Sequence, residues 1–221
     1  MTSRHHQERL QARLLGHHLP LFVLSTLSVA VLYYARTFKD ELSRVSFALA
    51  YPALALIAVT LLLGPWNILR KRKNPVSNDL RRDIGIWAGI LSLLHTAVGQ
   101  CVHLRGRPWL YYLYRDSEHH TLPFRHDLFG FANYTGLISA MIMVALLATS
   151  NDYSLRALGT PGWKQLQRWN YGAAVLASIH TFSYQTSEHQ ALLFVTSVGL
   201  CVVATLILQG AGFLRRKAAA V

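Results

Sequence analysis

Long, uninterrupted apolar runs constrain this chain more than any other feature. A helix needs about 20 mostly apolar residues to cross the hydrocarbon core of a bilayer. Six runs approach that length: 19–35, 45–64, 84–103, 128–149, 169–184 and 191–213. They neither alternate nor show the amphipathic pattern of soluble helices. Only 14% of the residues are charged and 52% are hydrophobic, whereas a soluble domain carries about 25% charged residues. The reading is an all-α, polytopic membrane bundle of about six transmembrane helices. Pro52 inside the second run is compatible with this, since membrane helices tolerate proline. The fifth run is the least apolar, with Asn170, Ser178, His180 and Ser183. Such a helix belongs inside a bundle rather than against lipid. No A-x-A-like site follows the first run, so it reads as a retained helix and not a removed signal. The expected organisation is an N-terminal tail over 1–18, one membrane domain over 19–213 and a basic tail over 214–221.

The formal net charge of +12 would suit a nucleic-acid binder, but the basic residues lie between the apolar runs. There they act as topology signals. With the N-terminus inside, the inner segments hold 15 Lys and Arg and the outer loops hold 7. Both termini are therefore expected in the cytoplasm. The RKRK run at 70–73 is the strongest single contribution, and contact with anionic lipid is its natural by-product. Cys101 and Cys201 lie in apolar segments, where thiols serve as small core residues. Two such cysteines make neither a disulfide framework nor a metal-binding spacing. The longest outer loop carries Trp109, Tyr111, Tyr112 and Tyr114. These read as an interfacial aromatic belt or as a docking surface.

Eleven histidines divide by position. His5, His6, His17 and His18 lie in the tail and its approach to the first run, and are expected to be solvated or interfacial. His119, His120, His126 and His189 lie in or beside outer loops. A metal site among His119, His120 and His126 lacks supporting carboxylate or cysteine spacing. His95 and His180 lie well inside predicted spans, where ionisable residues are costly and usually functional. His95 is 13 residues from Arg82 and His180 is 12 from Arg168. At 1.5 Å per residue both imidazoles lie about 18–20 Å from the inner boundary. One span separates theirs, so the two helices run in the same direction. Two imidazoles at equal depth can grip one planar ligand, which is the geometry of bis-histidine haem b. The alternative is a pair of structural core histidines bonded to backbone or to Ser92, Thr96, Ser178 and Thr181. No carboxylate lies within either span to support a general base, and no catalytic residue is assigned. His103 lies about 12 Å beyond His95 along the helix. With Arg105 and Arg107 it reads as an anchor for haem propionates or simply as the outer helix end.

Here the residues resemble a family. LRRDIGIWAGILSLLHTAVG resembles the third helix of the ferric-reductase-like transmembrane domain. Within that family the nearest likeness is to the haem-binding membrane subunit of the bacterial periplasmic methionine sulfoxide reductase system. GTPGWKQLQRWNYGAAVLASIHTF resembles the segment that enters that family's helix five, and LLLGPWNIL also fits. The likeness covers about 45–213. It implies a haem b electron-transfer subunit in the bacterial inner (cytoplasmic) membrane, with His95 and His180 as axial ligands.

The family's earlier helix-five histidine falls on Gln167. Fourteen residues before His95, where an inner haem would need a ligand, stands Arg81. One haem is therefore expected, in the outer half of the bilayer. No flavin and nicotinamide domain is expected after the last run, and no Gly-rich dinucleotide fingerprint is present. Electrons would come from a membrane quinol or a cytoplasmic flavoprotein. They would leave to a periplasmic reductase or to ferric iron. Arg81, Arg82, Lys164, Gln167 and Arg168 crowd the inner end. They read either as donor-side contacts to a quinone or flavin, or as ordinary positive-inside charge. The competing class is a haem-free helical membrane protein, a transporter or assembly factor, with structural histidines.

Overall fold

The computed structural model describes residues 2–71, 78–103, 107–115 and 122–218. Among them the chain is helical, with a single isolated antiparallel bridge between Leu113 and Phe124. Helix α1 (Thr2–Arg13) passes through one π-helical turn (Leu14–His18) into α2 (Leu19–Ala35). Then follow α3 (Glu41–Leu69), α4 (Asn78–Val102), a 3₁₀ turn (Pro108–Tyr111), α5 (Leu128–Ala148), α6 (Asp152–Gln167), α7 (Asn170–Ser187) and α8 (Leu192–Ala218). Short polar side chains start three of them by accepting from orphan backbone N–H groups. Asp40 accepts from Ser43, Asp127 from Gly130 and Asn151 from Ser154, each at 2.8 Å.

Among the described residues five helical segments are long and apolar enough to cross a membrane: Leu10–Ala35, Glu41–Leu69, Asp79–Val102, Leu128–Ala148 and Leu192–Ala218. Helix α7 is the sixth of the expected set and is less apolar, in keeping with its polar residues. Two features differ from the sequence reading. The first apolar helix begins at Leu10 rather than at residue 19, so the expected tail is helical and continuous with it. The connection after α5 is a helix, α6, kinked at Gly159 where φ is 66°. Its polar, proline-containing sequence hid it.

Helix α3 packs along α4, and α5 along α7. Helices α2 and α8 lie outside and leave most of their apolar surface uncovered. Lipid tails are as apolar as leucine, so close packing and polar bonds, rather than water exclusion, hold such helices together. The core follows that rule. Ala88 and Ala173 are wholly buried, between Ile57, Met143 and Leu146.

The helix α3 prolines create specific needs. Pro65 has no N–H, so the Leu61 carbonyl loses its usual partner four residues on. Gln209 of α8 supplies one, its Nε2 donating to Leu61 O at 2.7 Å. Alongside, Gly212 lets α8 approach closely, since a Cβ there would lie 2.9 Å from the Pro65 Cβ.

The chain reversals give the bundle a basic end and an aromatic end. Arg70, Lys71, Arg81, Arg82 and Arg215–Lys217 lie at the first. At the second, Tyr111 is buried and ties off α4. Its hydroxyl accepts from the His103 N–H at 2.8 Å and donates to Gly99 O at 2.9 Å.

Candidate functional site

His95 of α4 and His180 of α7 face each other, with ring centres 6.1 Å apart and planes inclined by 72°. Each ring is held through Nδ1. His95 Nδ1 lies 3.0 Å from the Ser46 carbonyl oxygen on α3 and 3.3 Å from the Ser46 hydroxyl. His180 Nδ1 lies 2.8 Å from the Ala132 carbonyl oxygen on α5. A carbonyl oxygen only accepts, so Nδ1 carries the proton in both rings. In the neutral imidazole the lone pair is then on Nε2, the nitrogen left to bind a metal. Metal-ligating histidines are oriented in this way by a backbone carbonyl on the other nitrogen. A metal–imidazole bond is about 2 Å long, so two such bonds through one ion leave the ring centres roughly 6 Å apart.

Gly136 on α5 is part of the cradle. A Cβ at that position would lie 2.5 Å from His180 Nδ1. Nothing larger than hydrogen fits while the ring keeps its bond to Ala132.

Both imidazoles line a cavity of about 240 Å³ that runs outward between α3, α4, α5 and α7. Glu188, at its outer end, is the single carboxylate lining it among the described residues. Directly inward of the two rings the bundle is closely packed. Ala88 and Ala173 each stand seven residues before the histidine of their own helix, about 10 Å inward, and are fully buried. Beside them Asn170 Nδ2 donates to Thr60 Oγ1 at 2.6 Å.

Outward from His180 comes Tyr184, with ring centres 4.9 Å apart. Its hydroxyl donates to Asn133 Oδ1 at 2.9 Å. The His103 ring stacks on Tyr184 at 6.3 Å and 16°. Spacing alone would have found Tyr184, which is one helical turn after His180 and on the same face. The carbonyls of Ser46 and Ala132 carry no side-chain signature, and Gly136 is one glycine among 14.

The other sequence-stated residues scatter. His103 lines the cavity, Arg107 is exposed and Arg105 lies outside the described residues. Arg82 pairs with Asp152 at 2.6 Å. Lys164 and Arg168 are exposed. Gln167 turns to α5, with Nε2 at 3.5 Å from Leu146 O and Thr149 Oγ1. Arg81 instead lines a second cavity on the α3–α8 side, whose lining does not include Gln167. His119 and His120 also lie outside the described residues, and His126 packs against Tyr114 with ring centres 5.2 Å apart. Among the described residues no three His, Cys, Asp or Glu side chains are placed to hold a metal ion.

A second histidine cluster lies at the basic end and was not anticipated. Asp83 of α4 is wholly buried and pairs with Arg13 through a short bidentate contact. His17 Nδ1 lies 2.7 Å from Asp83 Oδ2 and His18 Nε2 lies 3.3 Å from Oδ1. Trp87 Nε1 donates to His18 Nδ1 at 3.3 Å, so His18 has no free nitrogen. The π-helical turn brings these consecutive residues onto one carboxylate.

Comparison with known proteins adds the last observation. No family model matches the chain, and no solved structure does. Two curated relatives are each named a protein-methionine-sulfoxide reductase heme-binding subunit, MsrQ. That of Yersinia pseudotuberculosis serotype O:1b is 31% identical over 129 residues, 58% of this chain and 56% of the relative. That of Yersinia pestis strain Pestoides F is likewise 31% identical over 129 residues, 58% of this chain and 55% of the relative. The match thus spans little more than half the length of these relatives. The chain is a helical membrane bundle similar to MsrQ haem-binding subunits.

Proposed function

We propose that this chain is a haem b-binding membrane subunit that passes electrons across a bacterial inner membrane. The observation that carries this is the imidazole pair. Two rings with centres 6.1 Å apart, each protonated on Nδ1 through its bond to a backbone carbonyl, line a single cavity and keep Nε2 for a ligand. Haem held there would supply a one-electron carrier whose potential depends on axial ligands, hydrogen bonds and burial. The protein's part is positional and electrostatic. The Ser46 and Ala132 carbonyls fix ring orientation and raise imidazole basicity. Gly136 leaves room for the ring of His180. The layer of Ala88, Ala173, Ile57 and Met143 keeps water from reaching the site from the basic end.

One haem rather than two is supported by the inner level itself, where Arg81 and Gln167 stand in place of a second pair of histidines. Positive-inside charge supports placing the basic end and both termini in the cytoplasm. The donor is then a quinol or a cytoplasmic flavoprotein. The acceptor is a periplasmic methionine sulfoxide reductase partner, in line with the relatives' name, or ferric iron. Proteoliposomes holding the purified chain test the route. A quinol analogue supplied from the membrane should reduce the haem without dithionite, and added periplasmic reductase should reoxidise it. Failure of both quinol and reduced flavoprotein to reduce a fully loaded protein would reject the electron-transfer role.

A further inference from the structure

The second cavity, of about 160 Å³, opens at the basic end between α3, α4, α7 and α8. Its origin is local. The Pro65–Gly212 contact brings α3 and α8 together, and Gln209 is already committed to the Leu61 carbonyl. Tyr171 closes one side, with its hydroxyl 3.3 Å from Gln209 Oε1. Arg81 and Arg216 line what remains, and no carboxylate lines it among the described residues.

That charge pattern sets the cavity apart. Two neighbouring cations at this end are neutralised, Arg13 by Asp83 and Arg82 by Asp152. Arg81 is partly buried, and neither it nor Arg216 makes an ion pair among the described residues. A guanidinium withdrawn from water without an anion is costly. Its planar fork matches phosphate oxygens in a bidentate manner. Basic pockets between transmembrane helices at a charged end are suited to lipid headgroups. The cavity also opens beside Phe213, which is 67% exposed on the outer surface of α8. An acyl chain therefore has an apolar surface to follow from that point.

We propose that this cleft binds a phosphate group through Arg81 and Arg216, carried by an anionic phospholipid. The site does not depend on the haem reading. The test uses the full-length chain in nanodiscs of phosphatidylglycerol or of phosphatidylcholine. Retained lipid is quantified by native mass spectrometry after detergent exchange. The wild type should retain phosphatidylglycerol with roughly tenfold preference, and Arg81→Gln with Arg216→Gln should remove that preference. Arg81→Lys with Arg216→Lys keeps the charge and should keep part of it. Inorganic phosphate at millimolar concentration separates the sources. If it fails to displace the lipid, the lipid is the ligand. If it displaces the lipid and raises the melting temperature alone, the site takes free phosphate. Equal retention of both lipids by the wild type, with no effect of inorganic phosphate, overturns the proposal without recourse to any variant. So does an unchanged preference in the double Gln protein.

Discussion

Two pairs of histidines sit at two levels of this bundle, and they are bonded in opposite ways. His95 and His180 meet neutral carbonyl oxygens through Nδ1 and keep Nε2 for another partner. His17 and His18 meet one buried carboxylate, and the second nitrogen of His18 is taken by Trp87. A carbonyl orients an imidazole without charge and leaves it able to ligate. A buried carboxylate with an arginine beside it binds imidazoles into an ion cluster that fastens two helices. Histidine inside a membrane helix is thus no indicator of function by itself; what counts is a free nitrogen on a ring that lines a cavity.

The sharpest way to break this contrast is at the carboxylate. Asp83→Ala would leave Arg13 buried and unpaired, a change that costs about 3–5 kcal/mol. A large fall in melting temperature is expected, with α1 and α2 released from α4. His17→Ala or His18→Ala should cost far less, about 1 kcal/mol each. A single-histidine loss as large as the Asp83 loss would make the cluster histidine-centred and remove the contrast.

At the other level, Gly136→Ala places a methyl group against His180 Nδ1. Overpacking of this kind costs about 1–3 kcal/mol, and the more telling effect is displacement of the ring. Low-spin ligation by His180 should weaken while the helical circular dichroism persists. An unchanged spectrum would show that the Ala132 bond does not orient the ligand.

A smaller effect tests whether carbonyls at this depth need partners at all. Gln209→Leu removes the donor to Leu61 O, which Pro65 cannot replace, and should cost about 1–2 kcal/mol in thermal unfolding. The smallest effect lies outside the membrane. Arg125, through a side-chain hydrogen bond, holds the Asp127 carboxyl below its usual range, with help from the Gly130 N–H. A lowered folded value means that the stabilisation is complete above the unfolded carboxylate pKa of about 3.9. It is lost as pH falls through the folded value. Melting followed from neutral pH into that acid range should show a slightly shallower decline for Asp127→Asn than for the wild type. Identical profiles would remove Asp127 from the account.

The helices were legible because apolar run length is set by bilayer thickness, a constraint that acts on each segment alone. The meeting of His95 and His180 was legible for a related reason. Helical rise is constant, so equal counts from two boundaries give equal depth. The Asp83 cluster was not legible. Its members lie 66 and 70 residues apart in the chain, and Asp83 stands just before the predicted third span. Helix α6 was missed because Gly159 and Pro161 look like loop residues, although the backbone absorbs them in a kink. The cradle around His180 is made of a carbonyl and a missing side chain, and neither leaves a motif.

One measurement bears most directly on the central claim: the optical spectrum of the purified, haem-supplied chain, compared among the wild type, His95→Ala, His180→Ala and the His17→Ala/His18→Ala double variant. The wild type should show a Soret band and sharp low-spin α and β bands on reduction, with one haem per chain. Each of the first two variants should lose the low-spin bands, and the double variant should keep them. A wild type that binds no haem, or low-spin bands that survive loss of His180, would contradict the assignment of His95 and His180 as the pair that holds it.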